Sequence, residues 1–580
     1  MNADFSRGRM GLLTVVFVLA LLAFTMRLVQ IQGIDSAAFA AMAKEAGARK
    51  LTIPAPRGDI LDRNGEALVS STQGVSITAD PYLTAPNAPK ITKLLRAELG
   101  EKIDYFDTVE LLRTPDSRFV YVIKNVPAYS AKAAITTVNE AGYPGLFAEN
   151  VSLRKYPGGS LAANVLGITE GEHTGIAGLE KQYNESLSGT NGKETYEIAA
   201  SGQRIPTATA TLKAMTPGDD LQTTLDRELQ WFADQRLSDA VRDAKADYGL
   251  AITMDVRSCE IVQMSQVPTF DADSRENVKS ETLVNRAVSN VYEPGSVMKV
   301  ITMAALADQG KVKADTKIKV PGQMRLDGFT ISDHWNHGTI NLTAGGVIAL
   351  SSNMGTVVAA QQMDDSTFHR YLTKFGFGQL SGIDLPEESK GIVTPARDWS
   401  RSKKATTSFG QGIAVNAVQM TRAVGAIANG GQMCTPSIAD STVTNDKKTK
   451  KLHESTTTQV ISREASAEVT RMMEAVVAED GTASRAMIEG YRVAGKTGTA
   501  WRVNPKTGRY VRGQNTVSFI GFAPADRPRF VTYVVIDNPK SAAGGGLLAA
   551  PVFQDVMSMA LERFGVPPTG SKSPKVEHEW

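Results

Sequence analysis

Three short motifs along the 580-residue chain contain the side chains that a serine needs to transfer an acyl group. Ser296 is followed three residues later by Lys299, Ser351 stands two residues before Asn353, and Lys496 opens a Lys-Thr-Gly-Thr run. A serine hydroxyl becomes a good nucleophile when a nearby base takes its proton, and a lysine one helical turn away can reach it. The motifs therefore predict a nucleophile with its base, a polar second wall, and a cationic strand able to hold a carboxylate.

The surroundings of Ser296 distinguish it from other serines with the same spacing to a lysine. The pattern also occurs at Ser152 and Ser400, but these lie in turn-rich or polar segments, and we expect neither to begin a buried helix. Ser296 follows Pro-Gly and opens an apolar run that stops at Gly310, which is typical of a buried helix. Its place in the first helical turn, among free backbone N–H groups, favours Ser296 as the nucleophile.

Lys-Thr-Gly occurs twice in the chain, and the neighbouring residues distinguish the copy at Lys496 from the other. Small residues on either side of Lys496 predict a strand that another backbone or a ligand can approach closely. The second copy, at 506–508, is typical of a surface turn between strands. The residues that complete the first copy, and that we expect to bind substrate, are Thr497, Gly498 and Thr499.

The amino-terminal segment predicts one membrane span, at residues 10–31. Its first seventeen residues are uncharged but cover only about 25 Å of helix, so the following residues must complete the crossing. Arg7 and Arg9 predict that residues 1–9 form a cytoplasmic tail and that the catalytic domain lies on the extracytoplasmic side. Signal cleavage near 38–40 is the alternative, disfavoured because this site lies about twelve residues beyond the apolar run.

Charge, cysteine and histidine content exclude several kinds of protein. Lys and Arg number 63 against 61 Asp and Glu, and this net charge of +2 provides no surface for nucleic acid. Cys259 and Cys434 are far apart in sequence, and we expect buried free thiols, although the compartment would allow one bridge. His334 and His337 are expected to be structural or solvent-facing rather than metal ligands. We predict neither a cofactor nor a metal.

Several longer stretches resemble the class B penicillin-binding proteins, the monofunctional transpeptidases of bacterial cell-wall synthesis. In the catalytic region they are YEPGS at 292–296, SFGQG at 408–412 and GFAPA at 521–525. Upstream, RGDILDRNG at 57–65 and GIAGLE at 175–180 are similar to the amino-terminal module of that class. The YEPGS stretch favours the division-type, FtsI-like branch over the elongation branch.

The resemblance implies an α+β catalytic fold of the penicillin-binding/β-lactamase-like kind, an antiparallel sheet with helices on both sides. A β-rich, non-catalytic pedestal domain of the dimerisation type is expected at 45–215, a transpeptidase domain at 221–565, and a disordered tail at 566–580. Five charged residues of the pedestal are expected to form an internal ion-pair network rather than a partner surface: Arg57, Asp59, Arg63, Arg154 and Glu180.

The family's reaction implies a role for each motif residue. Ser296 attacks the carbonyl between the last two D-alanines of a peptidoglycan stem peptide, and D-alanine leaves as an acyl-enzyme forms. Lys299 takes the serine proton, and the backbone N–H groups of Ser296 and Thr499 hold the oxyanion. Ser351 relays a proton to the leaving amine. An amine from a neighbouring strand then attacks the acyl-enzyme and forms a cross-link.

Substrate recognition and partners are implied in the same way. Asn353 hydrogen-bonds the substrate backbone and Lys299, while Lys496, as a cation, receives the terminal carboxylate together with Thr497 and Thr499. β-Lactam antibiotics, which resemble the acyl donor, are expected to be trapped on Ser296. The membrane, a membrane glycosyltransferase and other divisome proteins are the further expected partners.

Three other functions remain open at this point. A β-lactamase shares the motifs, but neither the length nor the anchored, two-module organisation suits a small secreted hydrolase. A D,D-carboxypeptidase differs only in its acceptor. A catalytically silent, membrane-anchored penicillin-binding sensor or scaffold would not need the intact Ser296, Lys299, Asn353 and Lys496.

Overall fold

The computed structural model of the chain describes residues 3–35, 48–170, 174–197, 211–274, 278–453, 456–504 and 507–580. The chain divides into two units, residues 1–55 with 189–217 and residues 56–188 with 218–580.

The first unit contains one long apolar helix and a small sheet. The helix Ala3–Val29 continues into a π-helical turn, Gln30–Ile34. Its stretch Gly8–Gly33 is long and apolar enough to cross a membrane, with a mean hydropathy of 2.5 and no buried residues. The antiparallel sheet has three strands, in the order Ala48–Ile53, Gly192–Glu197 and Thr211–Lys213.

The amino-terminal part of the second unit is built on a long strand, Ala67–Ala79, paired on both sides. The seven-stranded sheet runs Thr449–Lys451, Ala439–Val443, Asp220–Thr223, Ile60–Leu61, Ala67–Ala79 and Val120–Pro127, with Leu146–Lys155 also paired to Ala67–Ala79. Two amphipathic helices, Ala88–Leu99 and Ala128–Glu140, pack over this end around a separate small core. The shorter elements are Pro81–Thr84, Tyr105–Leu111, Ala163–Leu166, Gly178–Gln182, Asn184–Leu187 and the pair Thr169–Glu170 with Thr174–Gly175.

A buried ion-pair network lies in this region, as predicted, but contains three of the five expected residues. The Glu180 carboxylate accepts from Arg57 Nε at 2.6 Å and from Arg154 Nε at 2.7 Å, and all three side chains are at most 1% exposed. Asp59 instead accepts from the Ser71 N–H, at 3.1 Å. Arg63 reaches Glu260 at 3.7 Å, outside the network.

The transpeptidase region is organised around a five-stranded antiparallel sheet. Its strands are Ile261–Val267, Tyr248–Asp255, Phe530–Asp537, Tyr510–Ala523 and Ala494–Val503, in that order. Every residue of Phe530–Asp537 is buried. Because successive side chains of a strand point to opposite faces, both faces of this sheet are covered. The predicted α+β fold is confirmed.

Helices cover the sheet in two groups. Arg227–Asp243 and Gly545–Arg563 pack on it and on each other, and Ala417–Ala428 with Arg463–Val477 forms the second group with Met298–Asp308. The shorter helices are Ser280–Leu283, Arg286–Ser289, Ala344–Ala349, Asn353–Ala360, Asp365–Lys374 and Arg401–Ser408. Three strand pairs complete the region: Lys317–Val320 with Ile340–Thr343, Gln323–Leu326 with Phe329–Ser332, and Gln432–Cys434 with Thr457–Gln459.

Cys259 and Cys434 form a disulfide bond, with their Cα atoms 6.0 Å apart, so the prediction of free thiols is wrong. Both residues are buried, as expected. The two segments meet because the Ser437 N–H donates to the Cys259 carbonyl and the Ile261 N–H donates to the Ser437 carbonyl. This pairing joins residues 175 positions apart, and no local pattern reports it.

Residues 566–580 are bonded to the transpeptidase region, although the sequence predicted a disordered tail. The Tyr491 hydroxyl donates to the Val566 carbonyl at 2.6 Å, and the Thr343 N–H donates to the His578 carbonyl at 2.9 Å. The contacts use backbone carbonyls, which every residue type supplies. A Pro-, Ser- and Lys-rich composition therefore gave no sign of them.

Candidate active site

Ser296 lies in a tight turn, Gly295–Val297, that leads into the helix Met298–Asp308, called here the nucleophile helix. Gly295 has a positive φ of 55°, and a Cβ at this position would lie 2.7 Å from the Thr499 carbonyl oxygen. Glycine is needed there on both counts. The turn thus holds the half-buried Ser296 beside the backbone of Thr499, and the predicted helix is confirmed.

Lys299 lies one turn further along the nucleophile helix and is fully buried. Its Nζ donates to the Ser351 carbonyl at 2.5 Å and lies 3.3 Å from Ser351 Oγ. Burial lowers the pKa of Lys299 to about 7, against the opposing effect of the Asp333 carboxylate. A neutral amine is therefore available near pH 7, which a general base requires.

Ser351 connects the two lysines of the site. It adopts a positive φ of 60° and is followed by Ser352, the cap residue of the helix Asn353–Ala360. Ser352 Oγ caps this helix by accepting from the Gly355 N–H at 2.8 Å. Ser351 Oγ accepts from Lys496 Nζ at 2.9 Å and also lies within reach of Lys299. The hydroxyl can therefore pass a proton between either amine and a bound group.

Asn353 lines the groove but does not make the predicted hydrogen bond to Lys299. Its Nδ2 donates to the Ser332 carbonyl at 3.1 Å. Lys299 Nζ is instead directed at the backbone of Ser351. The amide of Asn353 is thus held at the groove wall, where it can meet a substrate backbone.

Lys496 lies on the strand Ala494–Val503, called here the lysine strand, and is fully buried. Besides Ser351, its Nζ contacts the Thr497 carbonyl at 3.2 Å and Thr497 Oγ1 at 3.1 Å. Burial and then the charge of Lys299 lower the pKa of Lys496 well below its ordinary value. In the absence of a carboxylate ligand, burial beside a second amine therefore disfavours the charged form of Lys496, which was expected to act as a cation facing such a carboxylate.

Gly498 allows the turn Gly295–Val297 to lie directly against the lysine strand. A Cβ at this position would meet Ser518 Oγ at 2.2 Å and Val297 Cγ2 at 2.9 Å. On either side of it, Thr497 and Thr499 face the groove.

A groove of about 1000 Å³ brings the predicted residues together. Ser296, Ser351, Asn353, Thr497 and Thr499 line it, and the buried Lys299, Lys496 and Gly498 lie directly behind. The arrangement places a serine hydroxyl, two amines that share a second hydroxyl, and a strand edge at one open cleft. These are the groups required for acyl transfer through a serine ester.

The other copies of the motifs lie in different settings. Ser152 is part of the strand Leu146–Lys155, as a non-helical residue. Ser400, against expectation, does begin a helix, Arg401–Ser408, with buried residues in its second half. The described part of the second Lys-Thr-Gly copy, 507–508, is exposed in a turn, as predicted.

Sequence reasoning gave no role to an aromatic rim at the groove. Phe329, Trp501 and Tyr510 line it with exposed rings. The Tyr510 hydroxyl donates to the Glu293 carboxylate at 3.0 Å, and that carboxylate accepts from the Gly412 N–H at 2.6 Å. Burial raises the pKa of Glu293. The signal available was the position of Glu293, three residues before Ser296.

Asp333 also lacked a sequence-based role and is the carboxylate bonded to the Ser351 motif. It accepts from the Ser352 hydroxyl at 2.6 Å, and His337 Nε2 lies 3.1 Å from it. His337 is therefore structural, as predicted, whereas His334 lines the groove. Within the described ranges, no group of three or more His, Cys, Asp or Glu side chains could hold a metal ion.

Sequence profiles of known families match both parts of the chain. The profile "Penicillin-binding Protein dimerisation domain" matches residues 52–223, and "Penicillin binding protein transpeptidase domain" matches 249–558. The chain belongs to the penicillin-binding proteins. Its combination of a dimerisation-type pedestal with a transpeptidase domain is that of class B, and it is a serine-type transpeptidase of peptidoglycan.

Relatives of this penicillin-binding protein share nearly its whole length. It is 32% identical to penicillin-binding protein PbpB of Mycolicibacterium smegmatis, over 97% of this chain and 90% of the relative. It is 34% identical to stage V sporulation protein D of Bacillus subtilis, over 99% and 88%. Identity to the peptidoglycan D,D-transpeptidase FtsI of Escherichia coli is 29%, over 99% and 95%.

Solved structures agree with this assignment. The peptidoglycan synthetase of Bifidobacterium adolescentis superposes with a TM-score of 0.72 at 29% identity, over 92% of this chain and all of that one. Penicillin-binding protein 3 of Mycobacterium tuberculosis in complex with ampicillin gives a TM-score of 0.71 at 28% identity, over 91% of this chain and all of that one.

Proposed function

We propose that Ser296 is the nucleophile with which this transpeptidase cross-links peptidoglycan stem peptides. Ser296 Oγ attacks the carbonyl between the last two D-alanines, and the peptide bond breaks as an ester to Ser296 forms. D-Alanine leaves with a proton on its new amine. An amine of a second stem peptide then attacks the ester, and Ser296 regains its proton as the cross-link forms.

The observation that carries this proposal is the buried Lys299. It lies one helical turn from Ser296, its pKa is lowered to about 7, and its Nζ lies 3.3 Å from Ser351 Oγ. Lys299 takes the Ser296 proton in the first step, and Ser351 hands a proton to the leaving amine. In the second half-reaction the proton returns to Ser296 through Lys299 and Ser351, so acylation and deacylation use the same groups.

The oxyanion is held by the backbone N–H groups of Ser296 and Thr499. The close approach of Gly295 to the Thr499 carbonyl supports this assignment, since it fixes the two backbones beside each other. Preorganised donors of this kind stabilise the charge that develops in the transition state.

The terminal carboxylate of the donor is received by Lys496 with Thr497 and Thr499. An anion beside Lys496 favours its charged form and so opposes the burial and the Lys299 charge that lower its pKa. Substrate binding therefore charges Lys496 while Lys299 stays neutral. β-Lactams present the same carboxylate next to a reactive carbonyl and are trapped as esters of Ser296.

The test is covalent labelling of the full-length, detergent-solubilised chain with a fluorescent penicillin. Ser296→Ala abolishes labelling, while the matched changes Ser152→Ala and Ser400→Ala keep it. Labelling of a folded Ser296→Ala protein would refute the assignment. A labelled wild type that releases D-alanine from a stem-peptide substrate but forms no cross-link with an acceptor would instead identify a D,D-carboxypeptidase.

The same protein is anchored by its apolar helix with residues 1–9 in the cytoplasm and the catalytic domain outside. Arg7 and Arg9 support this orientation, and so does the Cys259–Cys434 bond, because disulfides persist in oxidising compartments outside the cytoplasm. A protease added to spheroplasts digests the large domain. Protection of that domain, or a mature protein that begins near residue 45, contradicts this topology.

The site of action is the division septum, with a membrane glycosyltransferase and other divisome proteins as partners. The YEPGS stretch at 292–296 and the similarity to FtsI support this assignment. A fluorescent fusion that concentrates at midcell in dividing cells bears it out. A fusion spread along the lateral wall rejects it.

A further inference from the structure

Asp333 is a fully buried carboxylate directly behind the Ser351 motif. It follows the strand Phe329–Ser332, and its side chain is 0% exposed. One oxygen, Oδ2, accepts from Ser352 Oγ at 2.6 Å and lies 3.1 Å from His337 Nε2. The other, Oδ1, accepts from the Met354 N–H at 2.9 Å. Both oxygens are therefore directed at groups that donate.

These hydrogen bonds fix the first turn of the helix Asn353–Ala360. Asp333 satisfies the N–H of Met354 while Ser352 satisfies that of Gly355. A carboxylate at a helix amino terminus is also favoured by the helix dipole. Since Ser352 Oγ donates to Asp333 and accepts from Gly355, its position is set from two sides.

This anchoring holds Ser351 in a conformation that it would not adopt unaided. A non-glycine residue with a positive φ is strained, and surrounding contacts must maintain it. Ser351, at φ 60°, is followed immediately by the anchored Ser352. The next residue, Asn353, donates to the Ser332 carbonyl, one residue before Asp333. The loop is thus tied at two adjacent points to the Asp333 segment.

Asp333 also supplies negative charge next to the amine pair. Among the described residues, the ionisable groups that interact with it are Lys299 behind the groove and His334 and His337 on its own loop. Asp333 raises the pKa of Lys299 against burial, and the pKa of His334 is lowered by burial and then by Lys299.

We propose that Asp333 is a positioning residue for acylation, which anchors the Ser351 loop through Ser352 and Met354 and places a negative charge beside Lys299. The inference rests on the proposed roles of Ser296, Lys299 and Lys496. It makes Asp333 necessary for both the geometry and the pH range of the reaction, through Ser352, Met354 and Lys299.

The main test is Asp333→Asn in the full-length, solubilised protein, with acylation by a reporter penicillin followed as a function of pH. Asparagine keeps the shape but loses the charge and one of the two acceptor oxygens, so Ser352 and Met354 can no longer both donate to it, and the acylation rate falls by roughly 10- to 100-fold. Loss of the negative charge lowers the pKa of Lys299 further. The pH at which the rate is half-maximal on the acid side therefore moves down, by about one unit.

Two further variants separate geometry from charge. Ser352→Ala removes the hydroxyl and keeps the Asp333 charge, so we expect a slower rate with an unchanged half-maximal pH. Asp384→Asn is the matched control, since Asp384 is an equally buried carboxylate that accepts from Ile438 and Ala439 and does not line the groove. It leaves the half-maximal pH unchanged.

The outcomes are decisive in each case. If the wild type is not acylated at Ser296, the proposed function fails before Asp333 is at issue. If the wild type is acylated and Asp333→Asn reacts at the same rate with the same half-maximal pH, this inference is wrong. A slower Asp333→Asn without a change in half-maximal pH also overturns it, because a purely structural carboxylate would behave in that way. If Asp333→Asn does not fold, an unchanged rate in Ser352→Ala refutes the anchoring.

Discussion

The segments that begin at Ser296 and Ser400 have the same serine-to-lysine spacing and line the same groove. In the second, Ser400 Oγ accepts from the Lys403 N–H at 3.1 Å and caps its own helix. In the first, no side chain caps the turn. The Ser296 hydroxyl is therefore available to a ligand, whereas that of Ser400 is used to begin a helix.

The two lysines differ in the same way. Lys299 is fully buried and its pKa falls to about 7. Lys403 is only half-buried, and its Nζ donates to the Gly412 carbonyl at 2.5 Å. Spacing brings an amine within reach of a hydroxyl, but only burial makes that amine a base near neutral pH.

The largest effect that separates the segments is expected from replacing each lysine with arginine. Arginine stays charged, so Lys299→Arg should slow acylation by on the order of 10²-fold or more. Lys403→Arg should change little, because an arginine can still donate to the Gly412 carbonyl. Stopped-flow acylation of both solubilised variants by a reporter penicillin is the measurement. Similar losses of acylation rate in Lys299→Arg and Lys403→Arg would contradict the assignment of Lys299 as the base.

A smaller effect should distinguish the two buried lysines. Lys496→Arg keeps a cation for the donor carboxylate and should slow the same acylation by about tenfold, less than Lys299→Arg. Each rate is compared with the wild type under identical conditions. A milder loss at Lys299 than at Lys496 would mean that the two roles are reversed.

The pH dependence of stability should also distinguish Lys299 from Lys403. An unfolded lysine holds its proton up to about pH 10.5, whereas folded Lys299 releases it near pH 7. Between these values the unfolded state binds more protons, so the free energy of unfolding rises with pH. Lys299→Met should remove roughly 1 kcal/mol per pH unit of that rise. Urea unfolding from pH 7 to 10 measures it, and Lys403→Met, the control, should keep the slope.

The smallest effect belongs to the Ser400 cap. Ser400→Ala should lower the free energy of unfolding by about 1 kcal/mol, because one helix N–H loses its acceptor. Penicillin acylation should be unchanged. Thermal unfolding and labelling of the same sample test both parts, and a loss of labelling in the folded variant would give Ser400 a role in the site.

The sequence predicted those parts of the site that depend on local pattern. Pro-Gly before an apolar run located the nucleophile helix, and the small residues around Gly498 located a strand that tolerates close approach. Each signal lies within a few residues of the feature that it predicts. The order of the three motifs then allowed the assembled groove to be anticipated.

What the sequence missed depends on residues brought together by folding. Asp333 lies 19 positions from Ser352 and carries no motif of its own. The lowered pKa of Lys496 follows from burial next to Lys299, nearly two hundred residues earlier in the chain. Asn353 bonds to Ser332 rather than to Lys299, whose amine donates to the backbone of Ser351. None of these is a property of composition or spacing.

The Cys259–Cys434 bond closes a covalent ring of chain that includes Ser296 and Ser351 but leaves Lys496 outside. A single proteolytic cut within this ring cannot release a fragment, so Ser296 and Ser351 stay covalently joined in a nicked molecule. A cut between residues 434 and 496 instead separates both from the lysine strand, with no covalent link to restore it. Tolerance of the enzyme to backbone cleavage should therefore change sharply at residue 434.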